Sequence, residues 1–452
     1  MEEIARRARD AANVLQCTTS EHKTATLKNI YKILKDNKNK IFEENEKDLA
    51  EAQRRVDQGE LSASLFKRLD IKGKDGGKFE EMLSGIKEVE NLEDPIGKTT
   101  LAKELDAGLE LYRVTCAVGV ILVIFEARPE VVVNIACLAI KTGNAAILKG
   151  GKEAQYTNRL LAKLIGEAVQ AAKKECGGWI PEDAVQLVET REQISELLEQ
   201  DEYIDLVIPR GSNSLVKYIK NSTRIPVLGH ADGICSIYLD ESADVEKAKR
   251  IVVDAKTSYT AACNAAETLL VNENLLKNEF LQVAKELIDN NVLLRLDART
   301  YEAVDAARSE LGINSSSYVQ AHENDFHTEF LSLEIAVKSV SSVQEAIRHI
   351  NTHGSKHTDA IVTENKENAD LFMKMVDAAG VYWNASTRFA DGFRYSFGTE
   401  VGVSTNKTHA RGPVGLEGLT IYKYKLYGNG HIVGNYGTGP GKRSYTHKNI
   451  PF

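Results

Sequence analysis

The sequence predicts an α/β protein made of two doubly wound lobes, with a β-hairpin standing outside them. Three observations predict it. Apolar strand-like runs alternate with helical stretches over 119–240 and again over 269–384, as in buried parallel sheets with crossover helices. Cys263 sits among small residues between the two series, after a helical run and before an apolar one. Finally, two alternating runs, 99–105 and 109–114, flank Asp106-Ala107-Gly108, a hairpin signal. A chain of 452 residues is long enough for two or three domains.

In chain order, 2–56 reads as helices, with Leu27, Ile30, Tyr31, Leu34, Ile41 and Leu49 recurring at helical spacing. A Gly-rich loop at 72–78 precedes a helix over 79–89. The first sheet takes strands at 119–124, 145–149, 185–188, 205–208, 226–228 and 235–239, with helices at 132–141 and from 151 to about 174. The second lobe takes strands at 269–271, 332–340, 360–363 and 381–384, and helices at 276–290, 342–351 and 366–378. A Gly-rich segment, 385–418, leads to an alternating edge strand at 419–426. The Gly-rich, mildly basic 429–452 reads as a mobile tail.

The net charge of −8 argues against a nucleic-acid partner. No apolar run reaches the length of a membrane span, and the acidic start lacks a signal-type apolar region. The six cysteines (Cys17, Cys116, Cys137, Cys176, Cys235 and Cys263) contain no C-x-x-C pair. That excludes the common zinc spacings and fits free thiols in a reducing compartment. No metal is expected, and the cytosol is the expected location.

The small neighbours of Cys263 would admit a substrate carbonyl to contact, and Thr257, Ser258 and Asn264 offer donors to a thiolate or an oxyanion. Taken alone, a buried structural thiol is the commoner case. No G-x-G-x-x-G fingerprint follows a strand. Lys149-Gly150-Gly151 ends one strand and Arg210-Gly211-Ser212 opens a helix after another. These fit a phosphate cradle in which Lys149 and Arg210 neutralise charge, or a plain turn; spacing leaves both open. Arg128, Arg388, Arg394 and Arg411 lie in turn-like segments. They suit bidentate carboxylate or phosphate binding, although surface ion pairing is the usual role of any one arginine. His230 reads as a general base, a phosphate partner or a turn histidine.

Read together, Cys263-Asn264 with Glu267-Thr268, Lys149 at a strand end and Glu329-Phe-Leu resemble the aldehyde dehydrogenase superfamily. Phe125-Glu-Ala-Arg-Pro129, Leu148-Lys-Gly-Gly151 and Ile208-Pro-Arg-Gly-Ser-Asn213 are similar to its gamma-glutamyl phosphate reductase family. So are 227–235, 349–361, 384–394 and His409-Ala-Arg-Gly-Pro413, and the resemblance runs over 5–428. It implies NADPH-dependent reduction of L-glutamate 5-phosphate to the 5-semialdehyde through a Cys263 thioester, the second step of proline biosynthesis. It implies a cofactor-binding domain (1–97 and 117–255), a catalytic domain (256–417) and an oligomerisation hairpin and strand (98–116 and 418–428). The partners implied are a second copy of the chain and a glutamate kinase that makes the acyl phosphate. Matching motifs assign Lys149, Glu329, Arg210, Gly211 and Ser212 to the cofactor and Arg128, His230, Arg388 and Arg394 to the substrate. The Cys263 N–H and Asn264 become the oxyanion donors. Hydrolytic members carry a glutamate base where this chain has Gly229-His230-Ala-Asp232, so a water-excluding reductase is expected. The competing readings are an aldehyde-oxidising member and an inactive binding protein that kept the fold.

Overall fold

The alternating runs form two parallel sheets in the computed structural model, which describes residues 1–176 and 180–452. The side chains at 63, 64, 176 and 191 also fall outside the description, so the expected free thiol of Cys176 lies outside the described residues. Cys17, Cys116, Cys137, Cys235 and Cys263 are free.

The first sheet runs Val185–Val188, Ala145–Lys149, Val120–Phe125, Leu206–Arg210 in spatial order, all parallel. The two central strands are buried at every position, because helices cover both faces; hence their unbroken apolar runs. Helices Ser20–Asp36 and Lys38–Asp57 pack on Gln155–Cys176. The same core takes in Val401, Val414, Leu416 and Leu419, so the end of the segment expected in the catalytic domain packs on the first lobe.

The second sheet has seven parallel strands: Tyr318–Gln320, Leu293–Leu296, Glu334–Val340, Ala266–Asn272, Cys235–Leu239, Thr358–Val362 and Gly380–Trp383. Cys235–Leu239, expected in the first sheet, sits near the middle of the second, between Ala266–Asn272 and Thr358–Val362. An all-buried strand announces that both its faces are covered, not which sheet it joins. The stretch at 226–228 contributes only the single bridge Val207↔Val227, since Pro226 has no N–H to donate. Leu293–Leu296, Tyr318–Gln320 and helix Ala298–Leu311 were not foreseen.

A four-stranded antiparallel sheet lies outside the lobes, in the order Thr420–Tyr427, Leu109–Ala117, Thr99–Asp106, Lys448–Asn449. The segment read as a mobile tail folds back onto the hairpin. Lys448–Asn449 pairs with Thr99–Asp106, and Tyr436 donates its hydroxyl proton to Asp106 at 2.9 Å.

Candidate active site

Helix Val245–Thr257 delivers the chain into residues 258–265, which turn into strand Ala266–Asn272. Small residues are needed here because the backbone of Gly233 lies against that of Cys263; a Cβ at Gly233 would collide with the Cys263 carbonyl. The turn is anchored beneath by an ion pair with both side chains fully buried, Lys256 Nζ to Glu267 Oε2 at 2.5 Å. Burial pushes Glu267 up to about 7 even beside Lys256. Its other oxygen accepts the Leu331 N–H at 3.2 Å, so one carboxyl joins the cysteine turn to the segment carrying Glu329.

Two histidines bracket the sulfur. Cys263 Sγ and one ring nitrogen each of His230 and His357 lie within 4.8 Å of one another. The rings meet edge to face, with centroids 4.7 Å apart. His230 Nδ1 is 2.8 Å from the Val403 carbonyl, and His357 Nδ1 is 3.0 Å from Thr358 Oγ1. His357 Nε2 is buried without a hydrogen-bond partner. Burial alone would push the Cys263 thiol up, but His357 and His230 outweigh it and hold the thiol well below its ordinary value. Burial likewise favours a neutral His230, yet the Cys263 thiolate and the Val403 carbonyl raise it to about 9. The result is a thiolate–imidazolium pair at neutral pH. His357 was not singled out from the sequence, where it stood only as one residue of a longer motif. Lys356, with φ of 63°, makes the turn that brings it in.

Asn264 is placed differently from the expectation. Its side-chain N–H donates to the Ala390 carbonyl at 2.9 Å, and its oxygen accepts from Arg388 Nη1. The amide therefore faces the 386–390 turn and holds Arg388 in place. Arg388 also donates to Ser258 Oγ at 3.0 Å, and Arg394 donates to the Arg388 carbonyl at 3.1 Å. Arg411, by contrast, pairs with Asp377 at 2.9 Å.

Arg210 was expected on the cofactor side. It ends strand Leu206–Arg210 against Gly402, and burial followed by the neighbouring Arg128 lowers its pKa, opposed by Glu400 and Cys263. Arg210 is thus within electrostatic reach of both Arg128 and the sulfur. Two half-buried carboxyls lie within its electrostatic reach: desolvation raises Glu400 to about 7 against the pull of Arg210, and raises Glu130 against that of Arg128. Glu329 is raised to about 7 by burial and then by the Cys263 thiolate, which puts it within electrostatic reach of the sulfur. Lys149 is buried at the end of its strand. Helix Asn213–Ser222 opens beyond Ser212, whose N–H donates to Glu126 Oε2 at 2.8 Å. Arg68 was unforeseen: it donates to the Ala261 carbonyl at 3.2 Å, just behind the cysteine.

This arrangement has counterparts. Residues 1–293 match the model of the aldehyde dehydrogenase family. Gamma-glutamyl phosphate reductase of Saccharomyces cerevisiae is 53% identical over 99% of this chain and 98% of its own. That of Brachyspira hyodysenteriae is 48% identical over 99% of each. The chain belongs to the gamma-glutamyl phosphate reductase family of the aldehyde dehydrogenases. The crystal structure of the Thermotoga maritima gamma-glutamyl phosphate reductase matches with a TM-score of 0.86 at 38% identity, covering 95% of this chain and 99% of that one. Membership makes the chain an oxidoreductase with a nicotinamide cofactor. The residues fit such a group: the Ser212 N–H already holds an anionic oxygen at a helix start, as it would a phosphate. A Cβ at Gly211 would strike the Glu126 carboxylate and a Leu215 methyl, so glycine here lets those side chains close over the helix start.

Proposed function

We propose that the chain reduces L-glutamate 5-phosphate to L-glutamate 5-semialdehyde with release of phosphate, using NADPH. The observation that carries this reading is the Cys263 thiolate held between His230 and His357.

The Cys263 sulfur attacks the acyl carbon, a C–S bond forms, and the bond to the phosphate oxygen breaks. Phosphate is a good leaving group, so this step needs little general-acid help. Arg128 and Arg210 provide the cationic group that receives the phosphate, and Arg388 and Arg394 hold the substrate carboxylate. The Cys263 backbone N–H takes the oxyanion, since the Asn264 side chain is occupied with Arg388 and Ala390. Bound NADPH would supply the hydride that converts the thioester to the thiohemiacetal, held by Lys149, Glu329, Gly211 and Ser212. Collapse breaks the C–S bond, frees the aldehyde and returns the thiolate to its place beside the two histidines. His230, carrying its proton, occupies the segment where hydrolytic relatives place a glutamate base. With no glutamate base in that segment to activate water, the thioester is kept for hydride.

Run in reverse, with semialdehyde, phosphate and NADP⁺, the chain should form NADPH only when phosphate is present. Phosphate-independent turnover would replace this reading with aldehyde oxidation.

We further infer assembly into at least a homodimer. Ile421, Tyr422, Tyr424, Leu426 and Tyr427 are about half exposed along the outer strand of the antiparallel sheet, and an edge that apolar favours covering. The cytosol is the proposed location, and a glutamate kinase is the upstream partner that makes the labile acyl phosphate.

A further inference from the structure

A second group of histidines lies away from the sulfur. The short helical turn Glu323–His327 precedes strand Glu334–Val340, and helix Val343–His353 follows it. His353 Nδ1 and His327 Nε2 lie 2.8 Å apart, with their rings tilted at 42°. A Glu323 carboxylate oxygen joins these two nitrogens within a span of 4.8 Å.

We propose that Glu323, His327 and His353 form a binding site for a divalent transition-metal ion, of which Zn²⁺ is the best fit. Glu323 and His327 stand at the two ends of one short 3₁₀ turn, and their donor atoms nevertheless converge within 4.8 Å. His353 brings a third donor from another element. Two imidazoles and a carboxylate suit zinc, with water in the fourth position. Nitrogens about 2.0–2.1 Å from a tetrahedral zinc sit roughly 3.3 Å apart. A separation of 2.8 Å therefore needs only a small spreading of the two rings.

The support behind the donors is already built. His349, one turn before His353, stacks on its ring at 4.2 Å and 18°. His349 is itself buried, with Phe326 edge-on at 5.4 Å and its Nε2 without a hydrogen-bond partner. A packed platform of this kind fixes the orientation of a ligating ring. Glu323 and His327 are exposed, so the ion has a path of entry. An occupied site would tie the turn leading to Glu329 onto the end of the helix that leads to His357.

The test uses the full chain carrying Cys263→Ser, which removes the thiolate of the catalytic cluster, after treatment with a chelator. Titration with Zn²⁺ by calorimetry, and with Co²⁺ by visible absorption, should show one saturable equivalent. His327→Ala and His353→Ala should each raise the dissociation constant at least about tenfold, and Glu323→Gln should raise it less. Zn²⁺ should also raise Tm, and both histidine variants should lose that rise while keeping the parent far-UV circular dichroism. Absence of saturable binding, or binding unchanged in both histidine variants, overturns the site. So does binding abolished instead by His230→Ala or His357→Ala.

Discussion

The buried histidines of this chain divide into two groups with opposite electrostatics. His230 packs against His357 beside Cys263 and is raised to about 9, burial being outweighed by the thiolate. His349 packs against His353 and is lowered to about 3, by burial and then by the neighbouring His353 and Lys338. The His349 ring is buried and the His230 ring is partly buried. What differs is the sign of the nearest charge, so burial sets the sensitivity of a group and its partner sets the direction. His230 is therefore held as a cation by the anion built beside it, and His349, with no such anion, is held neutral.

The largest test of that contrast removes the anion. Cys263→Ala should abolish turnover, by about 10⁴-fold or more. It should also let burial win at His230, bringing the ring below its ordinary value. Histidine NMR titration of parent and variant measures the second effect; a His230 still titrating near 9 would break the comparison.

Next in size, His230→Ala and His357→Ala should each slow turnover by about 10²–10⁴-fold. Each removes a neighbour that holds the thiol down, so the thiol pKa must rise. Alkylation by iodoacetamide should be flat across neutral pH in the parent and fall steeply below about pH 8 in the variants. Unchanged alkylation profiles in both would show that the histidines do not hold the thiolate.

The smallest test concerns a buried group given no charged partner at all. Asp359 accepts the Ser236 N–H at 2.8 Å with one oxygen, and its other oxygen is buried without a partner. Burial raises it from 3.8 to about 7. The folded state therefore holds this proton more tightly than the unfolded chain does. The associated stability is complete below the unfolded value and is lost as pH rises through about 7. At about 1.4 kcal/mol per pKa unit, the loss amounts to a few kcal/mol. Asp359→Asn should be more stable than the parent at pH 8, with the advantage shrinking toward pH 5. Denaturant unfolding at the two pH values would reveal it; a pH-independent difference would mean that Asp359 stays ionised throughout.

Much of the fold was legible because it is periodic. Val120–Phe125 and Ala145–Lys149 read as buried parallel strands, and Thr99–Asp106 with Leu109–Ala117 as a hairpin. Leu293–Leu296 escaped notice, wedged between helix Glu279–Asp289 and helix Ala298–Leu311 with only a few residues on either side. Within the site, the small and polar neighbours of Cys263 fit a structural thiol as well as a nucleophile, and it was the longer motifs of the family that pointed to this cysteine. The side chain of Asn264 points to the 386–390 turn, a direction that chain adjacency to Cys263 does not give. Arg210 was grouped with the cofactor residues by its neighbours in sequence, whereas the fold sets it beside Arg128 and Glu400.

The sequence by itself determined the layered α/β architecture and the family, because periodicity and contiguous motifs are local properties of a chain. Tertiary structure alone decided that Cys235–Leu239 joins the second sheet, between the strand that follows Cys263 and the strand that follows His357. That placement brings His357 to the sulfur from far along the chain. Charge, too, was decided there: whether a buried ring or thiol ionises depends on which neighbours the packing supplies after water has been removed.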